Sequence, residues 1–152
     1  MVKSIIIQEL LERYFSLTGR ESRFYILSDG NKVYCEKVQN FISLLDIVKS
    51  CVVVDKPDDY TRFTGKAYIV LKEDILPDEN TRNYILEQCT KKLFDINNDV
   101  IQLNSFEIPT SIDFVDKIDL TEADKIDYKK YEKMAIEEYE NDKKNKKRIK
   151  SK

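Results

Sequence analysis

Residues Val48 to Val54 read Val-Lys-Ser-Cys-Val-Val-Val and stop at Asp55-Lys56-Pro57-Asp58-Asp59. A run this short, apolar and β-branched suits a strand better than a helix, and its near-continuous apolarity marks a central strand buried on both faces. Ala67 to Leu71 repeats the signal. The flanking segments carry the helical period instead. Val38, Phe41, Ile42 and Leu45 fall at i, i+3, i+4 and i+7 and predict a helix over about 35–46. After Pro77-Asp78, the four-residue recurrence of Ile85, Cys89 and Leu93 predicts a second helix over about 79–94, ended by Asn97-Asn98. Tyr128, Tyr131, Ala135 and Tyr139 give a final helix its apolar face.

The remaining strands are shorter. Ser28-Asp29-Gly30-Asn31 is an Asp-Gly turn between Arg23–Leu27 and Lys32–Tyr34, the signature of a hairpin. Tyr14 to Leu17 is also strand-like, and the apolar groups over 5–15 predict a short helix leading into it. Ser111 to Lys117 alternates through Ile112 and Phe114 as a half-buried strand does. Helices and strands mixed in this order imply an α+β domain: a small mixed sheet with flanking helices, preceded by a two-stranded hairpin. At 152 residues there is room for one such domain. We divide the chain into a lead segment 1–12, a domain 13–139 and a basic, solvated tail 140–152.

Composition removes whole classes of chemistry. The chain has no histidine, which excludes imidazole-based triads, His-ligated zinc and His acid–base catalysis, and no metal site is expected. Its three glycines, Gly19, Gly30 and Gly65, cannot form a dinucleotide-binding or P-loop phosphate cradle. Cys35, Cys51 and Cys89 fit neither a C-x-x-C pair nor a disulfide framework and read as reduced, buried thiols. Nothing resembles a membrane span or signal-peptide core, so a cytoplasmic location is expected. The last ten positions carry seven basic residues and no acid; against a net charge of −2 this leaves −9 on residues 1–142. An acidic body is a poor nucleic-acid binder, and no nucleic-acid partner is expected. The basic tail allows a weak contact with an anionic membrane.

Four segments carry a family resemblance. Thr18-Gly19-Arg20, Ile26-Leu27-Ser28-Asp29-Gly30-Asn31-Lys32-Val33-Tyr34 and Glu36-Lys37-Val38-Gln39-Asn40 resemble the hinge and loop that open the C-terminal domain of adenylate-forming (AMP-dependent) synthetases and ligases. The wording is most similar to long-chain fatty-acid–CoA ligases, which read G-R, two charged residues, then I-x-L-S-N-G-x-x-V-x-P-E-E-I-E. Gly65 to Lys72 is similar to the family's second sheet strand, and Phe106-Glu107-Ile108-Pro109 to its Y-K-[VI]-P turn. Ile112 to Asp127 resembles its closing motif, E-F-V-D-x-[LI]-P-L-T-x-x-G-K-I-D. Together these cover about residues 13–135.

The resemblance implies one half of a two-step ligase for fatty-acid metabolism. A carboxylate and ATP give an acyl-adenylate, the small domain rotates, and the acyl group passes to a thiol such as CoA. Lys125 matches the catalytic lysine, whose ammonium stabilises charge developing on carboxylate and α-phosphate oxygens. Arg20 and Ser22 match the hinge, and Gly30 and Lys32 the loop facing CoA or pantetheine. ATP, Mg and CoA are expected only in the assembled enzyme, none bound by this chain alone. The implied partners are a large N-terminal ATP-binding domain, in the same or another chain, and a carrier protein. The chain departs from the pattern where Asp124 replaces the glycine before the lysine, Asp119 and Glu122 replace prolines, and Lys37 and Gln39 replace the acids of E-I-E. Those departures support an alternative: a non-catalytic interaction module of the same ancestry that binds a ligase, a carrier protein or CoA.

Overall fold

The computed structural model describes residues 23–150. The predicted helix over 5–15, the strand over 14–17 and the hinge positions Arg20 and Ser22 lie outside the described residues. Described elements begin with the predicted hairpin, β1 (Phe24–Ile26) and β2 (Lys32–Tyr34), followed by helix α1 (Cys35–Ser43). Strands β3 (Val48–Asp58) and β4 (Arg62–Leu71) lead to helix α2 (Glu79–Gln88). The short strands β5 (Leu93–Phe94) and β6 (Val100–Ile101), strand β7 (Ser111–Phe114) and the long helix α3 (Tyr128–Lys150) complete the chain. The result is the expected α+β domain.

Apolar alternation along β3 and β4 explains the architecture. Cys51, Val53, Ala67 and Ile69 project to one side, into a cluster with Val38, Phe41 and Ile42 of α1, Tyr25 and Val33 of the hairpin, and Ile85. Val52, Val54 and Tyr68 project to the other, against Tyr131 and Ala135 of α3. Both faces of the pair are therefore dry, as the Val48–Val54 run demands. The central place, however, belongs to β4. The three-stranded order is β3-β4-β7, with β4 antiparallel to β3 and parallel to β7. The strand we expected to be central is at the sheet edge, because helices above and below bury side chains as completely as neighbouring strands do.

Other boundaries also differ from expectation: β3 continues to Asp58, through the segment expected to end it, β4 begins at Arg62 rather than Ala67 because the two strands pair as a long hairpin, and α1 ends at Ser43. The second helix ends at Gln88, and Leu93 and Phe94, expected within it, pair with Ile101 and Val100 in a separate hairpin. Asp95 organises that turn by accepting the N–H groups of Asn97 and Asp99, each at 2.9 Å. Asn97-Asn98 is therefore a hairpin turn, with Asn98 at φ +64°. Strand β7 stops at Phe114, short of the expected Lys117. Gly65 is required by a close approach: a Cβ there would stand 3.1 Å from the Tyr25 hydroxyl and 3.3 Å from Pro109 Cα.

Two ion clusters fix the elements against each other. Lys66, wholly buried on β4, meets Glu138 of α3 at 2.8 Å, Asp113 of β7 at 3.0 Å and the Ser111 hydroxyl at 2.8 Å. Across the molecule, Lys37 of α1 donates to the buried Glu107 at 2.8 Å, and the same carboxylate oxygen accepts the backbone and side-chain N–H groups of Asn104 at 2.8 and 2.9 Å. The motif that the sequence resembles has an acid at position 37 and a lysine at 107, so both charges here are the reverse of that motif's. A double-mutant cycle checks the pairing: Glu107→Lys alone should cost about 2 kcal/mol in urea unfolding, and adding Lys37→Glu should recover about half, the part due to like charge, while the two Asn104 hydrogen bonds stay lost.

All three cysteines are free and buried, as expected. Burial first, then the Asp55 and Glu132 charges, push the Cys35 thiol from 9.0 up to about 12 against the opposing pull of Arg23. Burial also pushes Cys89 up to about 11, and Cys51 higher still. The fold thus favours neutral thiols. Their contribution is present in full below the unfolded value near 9.0 and is lost as pH rises through the folded values. The urea midpoint should hold to about pH 9 and fall steadily towards about pH 12; a midpoint unchanged across that interval would contradict the burial account.

Candidate functional site

Beyond β7 the chain doubles back on itself. Leu120 and Ile126 form an antiparallel bridge. Inside it, Thr121 N–H donates to the Lys125 carbonyl at 2.6 Å and Asp124 N–H to the Thr121 carbonyl at 3.0 Å. At the base, Asp127 N–H donates to the Asp119 carbonyl at 3.0 Å. A turn closed by a left-handed residue is one of the common short hairpin loops. Asp124 takes that position, with φ +59°. It stands where the family motif has glycine, and aspartate is among the few other residues that enter this region readily. Aspartate here therefore takes a conformation that glycine would adopt freely.

Helix α3 holds the loop in place. Asp119 N–H donates to the Tyr131 hydroxyl at 2.8 Å, and the Asp119 carboxylate accepts Lys130 Nζ. That bond holds the Asp119 carboxyl below its ordinary range and raises the Lys130 ammonium. Tyr131 is buried, its ring 4.9 Å from that of Tyr68 on β4. The Asp119 carboxylate, a departure from the family pattern, is thus engaged by Lys130. Lys125 lies on the exposed turn, a cation presented on a loop anchored to the sheet through α3.

Gly30 and Lys32 share the β1–β2 hairpin. Gly30 has φ +91°, and Leu27 N–H donates to the Asn31 carbonyl at 2.8 Å across the turn. Lys32 Nζ stands 3.9 Å from the Phe24 ring centroid and 5.0 Å from that of Tyr34, so its ammonium rests on an aromatic face. The hairpin tip is pinned to the β3–β4 turn by Ser28 N–H donating to the Thr61 carbonyl at 2.9 Å. Lys125 belongs to a different loop.

Sequence reasoning missed Arg23. Its guanidinium donates to the Val53 carbonyl at 2.7 Å and to Gln39 Oε1 at 3.2 Å, and its Cζ lies 3.4 Å from the Tyr128 ring centroid. Gln39, a departure from the family's second acid, also accepts Val53 N–H at 3.1 Å. Nothing local in the sequence marks these partners, which lie 16, 30 and 105 positions from Arg23.

The surface of the described residues includes two concavities of note. One of about 350 Å³ lies between the β3–β4 turn and α3, lined by Lys56, Asp58, Tyr60, Thr64, Glu138 and Lys143 among others. The other, about 440 Å³ and more apolar, is lined by Ile47, Ile75, Leu76, Thr81 and Tyr84 among others. Neither includes Lys125, Gly30 or Lys32. Among the described residues, no group of three or more Cys, Asp or Glu is placed to hold a metal ion, and no helix is long and apolar enough to cross a membrane.

The sequence model of the AMP-binding enzyme C-terminal domain matches residues 37–125. Over 105 residues the chain is 30% identical to the 3-[(3aS,4S,7aS)-7a-methyl-1,5-dioxo-octahydro-1H-inden-4-yl]propanoyl:CoA ligase of Rhodococcus jostii (strain RHA1), covering 69% of this chain and 18% of that protein. Its fold is similar to that of a Brucella canis acyl-CoA synthetase, with a TM-score of 0.64, 22% identity, and 75% of this chain and 19% of that one covered. It is also similar to the amide bond synthetase McbA from Marinactinospora thermotolerans, with a TM-score of 0.59, 19% identity, and 74% and 20% covered. The chain thus spans about a fifth of the length of these relatives. With a family match over more than half its length, running from within α1 to Lys125, the chain belongs to the AMP-binding enzyme C-terminal domain family.

Proposed function

We propose that this chain is the lid of an AMP-forming acid–thiol ligase, that it supplies Lys125 to the adenylation step, and that it acts only with a large domain that holds ATP and the carboxylate. The observation that supports the reading is the 119–127 loop, where Asp124 takes a left-handed conformation at the resembled motif's glycine position and Lys125 sits on a base fixed by Asp119, Lys130 and Tyr131. In the first step a carboxylate oxygen attacks the α-phosphorus of ATP and pyrophosphate leaves. Lys125 needs no proton transfer for its part: its ammonium lowers the energy of negative charge shared between the attacking carboxylate and the α-phosphate oxygens. In the second step a thiol, CoA or a carrier-bound pantetheine, attacks the acyl carbonyl and AMP leaves. The hairpin bearing Gly30 and Lys32 is the face assigned to that step, with rotation at Arg20 and Ser22 exchanging the two. A carrier-protein or anionic-membrane contact would use the exposed Lys143, Lys144 and Lys146 of α3.

A second reading rests on one observation, the exposed acidic residues Glu122 and Asp124 on the loop that carries Lys125. Carboxylates there oppose an ATP polyphosphate approaching Lys125, which suits a module that does not catalyse adenylation and binds a ligase, carrier protein or CoA through another face. Pyrophosphate release from ATP and a panel of fatty acids, measured with the chain and its large domain together, separates the two. Under the lid reading Lys125→Ala lowers that rate roughly a hundred- to thousand-fold, the usual effect of deleting one transition-state charge stabiliser. A Lys125→Ala rate equal to the parent rate would sink the assignment and favour the binding module.

A further inference from the structure

Arg23 immediately follows Ser22, and both its backbone and its side chain are fixed. Its carbonyl accepts Cys35 N–H at 2.9 Å, at the start of α1. Its guanidinium reaches three elements at once: Gln39 of α1, the outer edge of β3 at the buried Val53, and Tyr128, the first residue of α3. Gln39 closes the circuit, accepting Val53 N–H and donating through Nε2 to the Tyr128 hydroxyl at 3.4 Å. Arg23 Nε is buried and finds no acceptor among the described residues. Burying a guanidinium on neutral acceptors is costly, and the planar fork and flat face of arginine make this three-way contact where lysine cannot.

We propose that Arg23 is a positioning residue that couples the chain entering the domain to the loop bearing Lys125. The path is short. Arg23 stacks on Tyr128, Tyr128 N–H donates to the Ile126 carbonyl at 3.0 Å, Ile126 bridges to Leu120, and the turn between them contains Lys125. The coupling exists whatever the chain does; its use rests on the lid reading. Torsion applied at Ser22 meets a residue already bound to α1, β3 and α3, so the body and Lys125 turn together. Without the guanidinium, the entering segment is tied by the Cys35 N–H bond, and the Lys125 loop loses its link to the pivot.

Amide hydrogen exchange on the full-length chain tests this, with Ile69 of β4 as reference for whole-domain opening. In Arg23→Lys, and in Tyr128→Leu, exchange at Val53 and Asp127 should accelerate about tenfold relative to Ile69, equivalent to about 1.4 kcal/mol of local opening. Tyr128→Phe keeps the stacked ring and loses one long hydrogen bond, so it should stay within about twofold of the parent. Unchanged exchange at Asp127 in both disruptive variants overturns the proposal, as does equal acceleration at Ile69. In the assembled ligase, Arg23→Lys should lower kcat while leaving KM for ATP unchanged, and Tyr128→Phe should restore parental turnover. Accelerated exchange in a pair that shows no ligase activity even with the parent chain leaves the coupling standing and counts against the lid reading instead.

Discussion

Burial of both faces of the β3–β4 pair is the constraint on which the rest of the molecule depends. Val53, Ala67 and Ile69 need α1 and the hairpin on one side, while Val52, Val54 and Tyr68 need α3 on the other. A two-layer domain would leave one of these faces wet, at roughly 1.5–3 kcal/mol for each exposed aliphatic or aromatic side chain. The position of α3 follows from this requirement, and the position of the Lys125 loop follows from α3. Tyr131 shows the link within one residue: its ring packs against Tyr68 in the core, and its hydroxyl accepts the Asp119 amide at the base of the loop.

Charge sets the register that hydrophobic packing leaves open. Apolar contact is non-directional, so the Tyr131–Ala135 face could slide along the sheet without losing much area. Lys66 forbids the slide. Fully buried between Glu138, Asp113 and Ser111, it has its partners only when α3 and β7 stand in one alignment. Buried ion clusters of this kind add little net stability over an apolar replacement, and their best-attested role is to specify one arrangement among several. The Lys37–Glu107 pair acts in the same way between α1 and the segment ahead of β7. Its exchanged signs relative to the family wording show two departures that make sense only together, since either alone would put like charges side by side.

Much of this was legible in the sequence because local pattern and global fold agree. The β-branched run at 48–54, the i, i+3, i+4, i+7 stripe of α1 and the Asp-Gly turn each name their own structure, and the motifs between Lys37 and Lys125 fall within the family match. The errors have a common physical origin. Leu93 continues the four-residue recurrence of Ile85 and Cys89, so periodicity carried the second helix too far; the decision was made by pairing with Ile101, a contact no helical period reveals. Strand order was hidden similarly, because helices on both faces give the edge strand β3 the composition of a central one. The ties that hold the Lys125 loop, from Lys130 to Asp119 and from Arg23 to Tyr128, were invisible because charged and aromatic side chains on a polar surface look alike until tertiary structure selects partners.

The chain spans about a fifth of its relatives, and its surface carries Lys125 on an exposed loop and Lys32 on an aromatic-backed hairpin, the two positions on which the proposed lid function rests. The central claim is therefore that adenylation requires this domain to meet a large one. Exchange of labelled pyrophosphate into ATP reads that half-reaction directly. With a fatty acid present, the account predicts exchange when the chain and its large domain are combined and little with either alone. Exchange by the large domain alone at the rate of the combined pair would contradict it.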